Sequence, residues 1–414
     1  MKTTLIVLAT ALAGISSAAS SSSASCSFLT TITAQASLNA LNACPTLDGT
    51  IEINGDAIGA VDLGAVESIK GDVTVTNSSS ITSLVFSSLA NITGSLDIVA
   101  LTQLSNIDFT SLSLVKQLKL ISLPSLATLN LNKGISKASH IEVSDTALSA
   151  FPLSITDIDY LDINNNKNIT SLDLPLETVS DTLILSFNND EAEVKLDNLI
   201  WASNLTIQDI SSLSASNLTA VNGSFVIAYN LFDEFELDSL KSVGGSLRII
   251  NNEELKSLSF KDLTTIGGEF NMVNNSKLSD TEDAFNEINT IRGAVNIAGD
   301  FSNFTMDGLK NVAGDFSFES TNDNFSCDAF DQLHDNNDIK GHNYNCSAPT
   351  QSSSASSGSS KSTSGSSSKS GSSTSGSSSG SSSSSSTKAS NGAFIKGSVG
   401  VGSLIMGGIM AALI

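Results

Sequence analysis

The stretch GSLRIINNEELKSLSFKDL, residues 245–263, decides the fold of this chain. Its first part, Gly245-Ser246-Leu247-Arg248-Ile249, alternates with the period of two of a β-strand, so Leu247 and Ile249 face inward and Arg248 outward. Its second part, Leu255-x-x-Leu258-x-Phe260-x-x-Leu263, supplies another apolar wall. The unit recurs along the chain. Its first apolar residue falls at Ile51, Val73, Leu96, Leu118, Ile141, Leu161, Leu183, Leu205, Phe225, Leu247, Phe270, Val295 and Phe316, at spacings of 20 to 25 residues. Repeats of this length mark a solenoid, because one unit cannot bury both walls and stacking buries them continuously.

Glycine stands two residues before that apolar position in eight units, at Gly49, Gly71, Gly94, Gly223, Gly245, Gly268, Gly293 and Gly314. It is expected to permit a tight corner at a backbone angle other residues avoid. Asparagine stands five residues after it at Asn166, Asn188, Asn230, Asn252 and Asn275, where leucine-rich repeats use an asparagine to bond the backbone of a turn. Glycine, serine, threonine and asparagine recur too often for helices. The expected fold is mainly β: a right-handed β-helix or leucine-rich-repeat-like solenoid of about thirteen coils of about 22 residues, spanning 49–326. The pattern weakens at 132–150, where a kink or sub-block boundary is expected.

A solenoid exposes apolar faces and strand edges at its ends. Segments 20–48 and 327–347 lie where caps are needed, and each holds one cysteine pair, Cys26/Cys44 and Cys327/Cys346. Three pairings are open, and capping favours the local one.

Residues 1–19 read as a signal peptide, with Lys2, the apolar run Leu5 to Leu12 and the small-residue site Ser17-Ala18-Ala19. Residues 348–390 are a serine-rich stalk; 26 of the 40 residues at 351–390 are serine, so it has no surface to bury. Residues 391–414 read as a GPI attachment signal, with small residues at Asn391-Gly392-Ala393, a spacer and an apolar tail from Leu404. Asn391 is the expected attachment site, Ser390 and Gly392 the near alternatives, and the tail is expected to be removed. Export makes disulfides the expectation and the ten Asn-x-Ser/Thr sequons meaningful. They are Asn77, Asn91, Asn168, Asn204, Asn217, Asn222, Asn274, Asn303, Asn324 and Asn345.

All 42 acidic residues lie in the body beside fifteen of the twenty basic ones, giving it a charge near −27. Such a surface repels phosphate backbones and excludes nucleic-acid binding. The outward strand residues form a column: Glu52, Thr74, Asp97, Lys119, Glu142, Asp162, Ile184, Thr206, Val226, Arg248, Asn271, Asn296 and Ser317. A binding face is expected here, with Glu52, Asp97, Glu142, Asp162 and Arg248 its candidate residues, and Ile184 and Val226 as apolar interruptions. Glu142 and Asp162 fall on neighbouring coils, the spacing a paired-carboxylate site would need, although a solvated polar face explains them too. His140 lies just before the Ile141 strand, and His334 and His342 lie in the C-terminal cap. Thiols closed as disulfides leave no zinc set, so no metal or cofactor is expected. Trp201, the single tryptophan, reads as a packing residue.

The Gly-x-Leu-x-Ile units, the Leu-x-x-Leu-x-Phe-x-x-Leu follow-on, the paired terminal cysteines, the stalk and the GPI signal together resemble one family. It is the fungal GPI-anchored cell-wall organisation proteins of the sporulation-specific/extracellular-mutant group. The repeats are similar to the L domains of insulin- and growth-factor-receptor ectodomains. The resemblance covers essentially the whole chain. It implies a non-enzymatic role in wall integrity, mannoprotein-layer or spore-wall assembly, at the outer leaflet of the plasma membrane or in the wall. Its implied partners are wall glucan or mannoproteins, and the membrane through the GPI lipid. It carries over no catalytic residue. The L-domain likeness also leaves open a receptor- or adhesin-like module for a protein or glycan ligand, and coil length leaves open a β-helix glycan-active enzyme.

Overall fold

The computed structural model describes residues 25–349. The signal peptide, the stalk beyond residue 349 and the GPI signal, Asn391 included, lie outside the described residues. Inside them the chain forms a parallel β-solenoid whose main sheet runs from one cap to the other. The thirteen apolar positions from Ile51 to Phe316 stand opposite one another in register, coil after coil. They are buried, as are the residues two further on, so the period of two becomes one continuous apolar wall.

The second wall is built of three-residue strands whose middle residue is buried or, at Leu129 and Leu213, half-buried against the core. Ala60–Asp62, Ser83–Val85, Asn106–Asp108 and Thr128–Asn130 form one ladder, and Ser171–Asp173, Glu193–Lys195 and Ser212–Ser214 the next. Between them, at 132–150, this wall lacks a named strand while the main sheet continues through His140–Thr146.

Gly49 and Gly71 take the left-handed backbone that the spacing suggests, and the other six glycines serve a different purpose. Gly71 does take a left-handed φ of +135°, but Gly268 does not. A Cβ on Gly268 would sit 2.8 Å from the carbonyl carbon of Gly245 in the coil below. Close backbone stacking therefore excludes a side chain there.

Each cap adds a rung. Strand Ser25–Ile32 pairs with Thr46–Asn54, placing Thr30 opposite Ile51. Strand Tyr344–Ser347 places Tyr344 opposite Phe316. Helix Gln35–Asn42 buries Leu38 and Leu41, and helix Asp328–Asp335 buries Phe330, so both join the core. The disulfides are Cys26–Cys44 and Cys327–Cys346. Each closes a loop around its capping helix, which by chain entropy stabilises the fold by roughly 3 kcal/mol.

A further regularity follows the main strands. From Asn77 to Asn274, ten successive coils place one residue in the left-handed region: Asn77, Ala100, Ser122, Asp145, Asn165, Phe187, Asp209, Tyr229, Asn251 and Asn274. This corner turns the next residue into the core. At Asn230, Asn252 and Asn275 those inward residues form a ladder. Asn252 Nδ2 donates to Ile227 O and to Asn275 Oδ1, and Asn252 Oδ1 accepts from N and Nδ2 of Asn230. Asn166 and Asn188 form a second such pair, and Ile210 interrupts the two.

Candidate functional site

The outward column has the register the sequence implies, from Glu52 to Ser317. Because the strands extend further toward their starts, a second outward column lies beside it, including Gln117, His140 and Tyr160. A third column on the far side includes Ser144 and Asn164. Three columns on one face create a polar cluster over four consecutive rungs, Asp97, Lys119, Glu142 and Asp162.

Its members hold one another. Lys119 Nζ lies 2.9 Å from Glu142 Oε2. Gln117 Nε2 donates to Asp97 Oδ1 at 3.3 Å. The imidazole of His140 stacks on the Tyr160 ring, centroids 4.3 Å apart and nearly parallel. Tyr160 Oη donates to Asp162 Oδ2 at 3.3 Å, and Asn164 Nδ2 to Asp162 Oδ1 at 2.7 Å. Ser144 Oγ in turn donates to Asn164 Oδ1. His140 Nε2 is buried without a hydrogen-bond partner, since Glu142 Oε2 at 3.8 Å is too far.

Burial and coupling shift the acids and bases here. Asp162 is buried, which raises its pKa; the charge of Glu142 adds to this, while Asn164 and Tyr160 oppose it. Burial lowers the pKa of His140, and Lys119 lowers it further against the pull of Glu142. Burial and the neighbouring carboxylates, Asp162 first, push the Tyr160 phenol well above its ordinary value.

Of the candidate residues, Asp97, Glu142 and Asp162 come together. Glu52 and Arg248 do not: Glu52 lies two rungs before Asp97, roughly 10 Å along the sheet, and Arg248 four rungs beyond Asp162, roughly 19 Å. Glu52 accepts from Asn54 and Thr31 instead, and Arg248 pairs with Glu269 at 3.1 Å. Sequence reasoning placed His140 in an irregular stretch; it sits on a regular strand. Tyr160 was missed. Both were findable, because a residue just before the first apolar position shares the face of the residue just after it.

Eight of the ten sequon asparagines are exposed. Asn91 and Asn204 are half-buried; Asn91 accepts from Ser68 Oγ, and Asn204 accepts from Ser224 N and donates to Asp181 O. Trp201 is half-buried at the start of its strand.

A disulfide-capped parallel solenoid with a self-paired polar face defines the class: a repeat protein built to present a long surface. Comparison with known proteins supplies the family. The chain is 51% identical over 356 residues to the cell surface GPI-anchored protein ECM33 of Candida albicans, covering 85% of each. It is 34% identical to the cell wall mannoprotein PST1 of Saccharomyces cerevisiae, over 78% of this chain and 72% of that one. It is 30% identical to the ecm33 protein of Aspergillus fumigatus, over 79% and 82%. No family model and no solved structure matches it. The chain belongs to the Ecm33/Pst1 family of fungal GPI-anchored cell-wall proteins. It is a protein of the cell surface and wall, and its role is in cell-wall organisation.

Proposed function

We propose that the chain organises the wall without catalysing a reaction, as a displayed scaffold that contacts wall glucan or mannoproteins through the outward face of its main sheet and the corner that follows it. The state of the two best-placed carboxylates supports this reading. Glu142 is committed to Lys119, and Asp162 to Asn164 and Tyr160. General acid–base catalysis needs a group free to exchange its proton with a substrate, and glycoside chemistry needs two acting across one bond. Glu142 instead braces two neighbouring rungs, and Asp162 is held within its own strand. On this reading Asn391 carries the lipid, and the exposed sequons carry glycans over the remaining surface.

The test is genetic. Deleting the gene is expected to sensitise cells to wall-binding dyes, and the full-length chain to restore resistance. Full-length chain carrying Glu142→Gln and Asp162→Asn is expected to restore it equally. A deletion strain with normal dye resistance contradicts the wall role. Failure of the folded, displayed double variant contradicts the non-catalytic reading.

A further inference from the structure

Among the described residues five large hydrophobic side chains are exposed; Phe187 at 44% and Tyr229 at 51% occupy left-handed corners, and Leu231 at 46% follows Tyr229 by two residues. Phe187 has φ of 50° and Tyr229 of 59°. A bulky residue in that region is an outlier, whereas asparagine and aspartate tolerate it. Six of the ten corners use one of those two, at Asn77, Asp145, Asn165, Asp209, Asn251 and Asn274. At two corners, then, the chain accepts backbone strain in order to hold an aromatic ring in water. Strain of this kind, observed together with exposure, points to a binding role.

The two rings stand in one column with Asp209 between them. Two rungs of a parallel sheet separate their backbones by about 9.5 Å. That is close to the length of a disaccharide unit in an extended β-linked polysaccharide, whose C–H faces pack on aromatic rings. Beside Tyr229 and Leu231 a shallow depression is lined by Asn251, Glu253 and Glu254, which offer hydroxyl groups amide donors and carboxylate acceptors. Asp209 is partly buried, and burial together with Asp190 raises its pKa. Lys277 pairs with Glu254 and Lys167 lies near Asp209, but the body as a whole is strongly acidic, which repels anionic polymers and leaves a neutral sugar chain as the fitting ligand. A patch of three side chains is small for a stable protein partner, which covers about 800 Å² on each side. In this column sequons occur only at Asn77 and Asn274, so the span from Ala100 to Asn251 bears none.

We propose that Phe187 and Tyr229 form a subsite for a neutral, extended β-linked glucan, running along the solenoid axis. This rests on the wall-contact reading above and names the surface and ligand class. The test uses full-length chain from a fungal host and soluble neutral β-linked gluco-oligosaccharides, with binding followed by saturation-transfer NMR and melting temperature measured alongside. Replacing both residues (Phe187→Asn, Tyr229→Asn) is expected to weaken binding roughly tenfold or more, the loss of about 1.4 kcal/mol of contact. The same variant should melt at an unchanged or higher temperature, because asparagine suits the corner. Tyr229→Trp should keep the binding. Three results overturn the proposal: wild-type chain that does not bind the oligosaccharides, a double variant that binds as wild type does, or a double variant that loses only the capture of a wall protein. The wall role itself is judged separately, by the dye sensitivity of the deletion strain.

Discussion

In the coils that begin at Leu96 and Leu118 the inward residue of the corner is Leu101 or Leu123; in those that begin at Leu161, Leu183, Phe225, Leu247 and Phe270 it is an asparagine. The two parts of the solenoid share one register and one left-handed corner, yet they close it differently. The early coils close it by apolar burial. The later ones close it with a hydrogen-bonded ladder, so that each coil's corner depends on its neighbour's side chain. The cores diverge as well. The early coils bury chiefly aliphatic residues with one aromatic contact, Phe86 against Phe109. The later coils line up Phe235, Phe260, Phe285, Phe304 and Phe318 at centroid distances of 5.2 to 5.7 Å, with stacked contacts in the middle of the row and edge-to-face contacts at its ends. Outside, the early and middle rungs carry the charged cluster, and the later corner carries the exposed rings. The repeat therefore fixes where side chains point, and leaves their chemistry free to vary along the axis.

The largest effect should come from the aromatic stack. Phe285→Ala is expected to cost about 3–5 kcal/mol, and Leu84→Ala in the early second wall toward the lower end of about 2–5 kcal/mol. Denaturant unfolding of both variants measures the contrast. Next comes the ladder. Asn252→Leu leaves the side-chain amide of Asn230 short of a partner and removes the bond to Ile227 O. At about 1–3 kcal/mol for each orphaned group, it should destabilise clearly although it adds apolar bulk. Leucine is native at position 101, so Leu101→Asn should destabilise too, for want of a neighbouring asparagine. If both swaps are neutral, the two closures are interchangeable and the contrast fails.

A smaller effect is pH-dependent and confined to the charged cluster. In the folded chain Asp162 keeps its proton to higher pH than in the unfolded chain, so its contribution falls as pH rises from the ordinary carboxylate range through the raised value. His140 acts oppositely: the unfolded chain takes up the proton first, and stability falls as pH drops through the ordinary histidine range. Melting curves of Asp162→Asn should therefore lie above wild type near neutrality and converge with it in acid. A constant difference across pH would contradict this. The smallest effect is expected at the strained corner, where Phe187→Asn should raise stability by about 1 kcal/mol.

Much of this was legible in the sequence. The spacing of thirteen apolar positions gave the strand register directly, and the alternation around Leu247 gave the outward column. Asn252 and its counterparts announced the ladder. Other features were hidden for physical reasons. The role of Gly268 depends on Gly245 in the coil below, a contact that no local pattern expresses. His140 and Tyr160 were concealed because the strands extend beyond the repeated core unit. The strands in the caps lack the glycine–apolar signature, so Ser25–Ile32 read only as a capping segment. Phe187 and Tyr229 look like ordinary apolar residues until the corner they occupy is known to be left-handed.

The central claim is that the molecule works by contact through its later coils, and that its charged rungs hold structure. The most direct test compares two full-length variants, displayed at equal levels in the deletion strain, for growth on wall-binding dye. Chain with Glu142→Gln and Asp162→Asn is expected to restore resistance, and chain with Phe187→Asn and Tyr229→Asn to leave the cells sensitive. The reverse pattern, with the ring variant competent and the carboxylate variant inactive, would contradict the account.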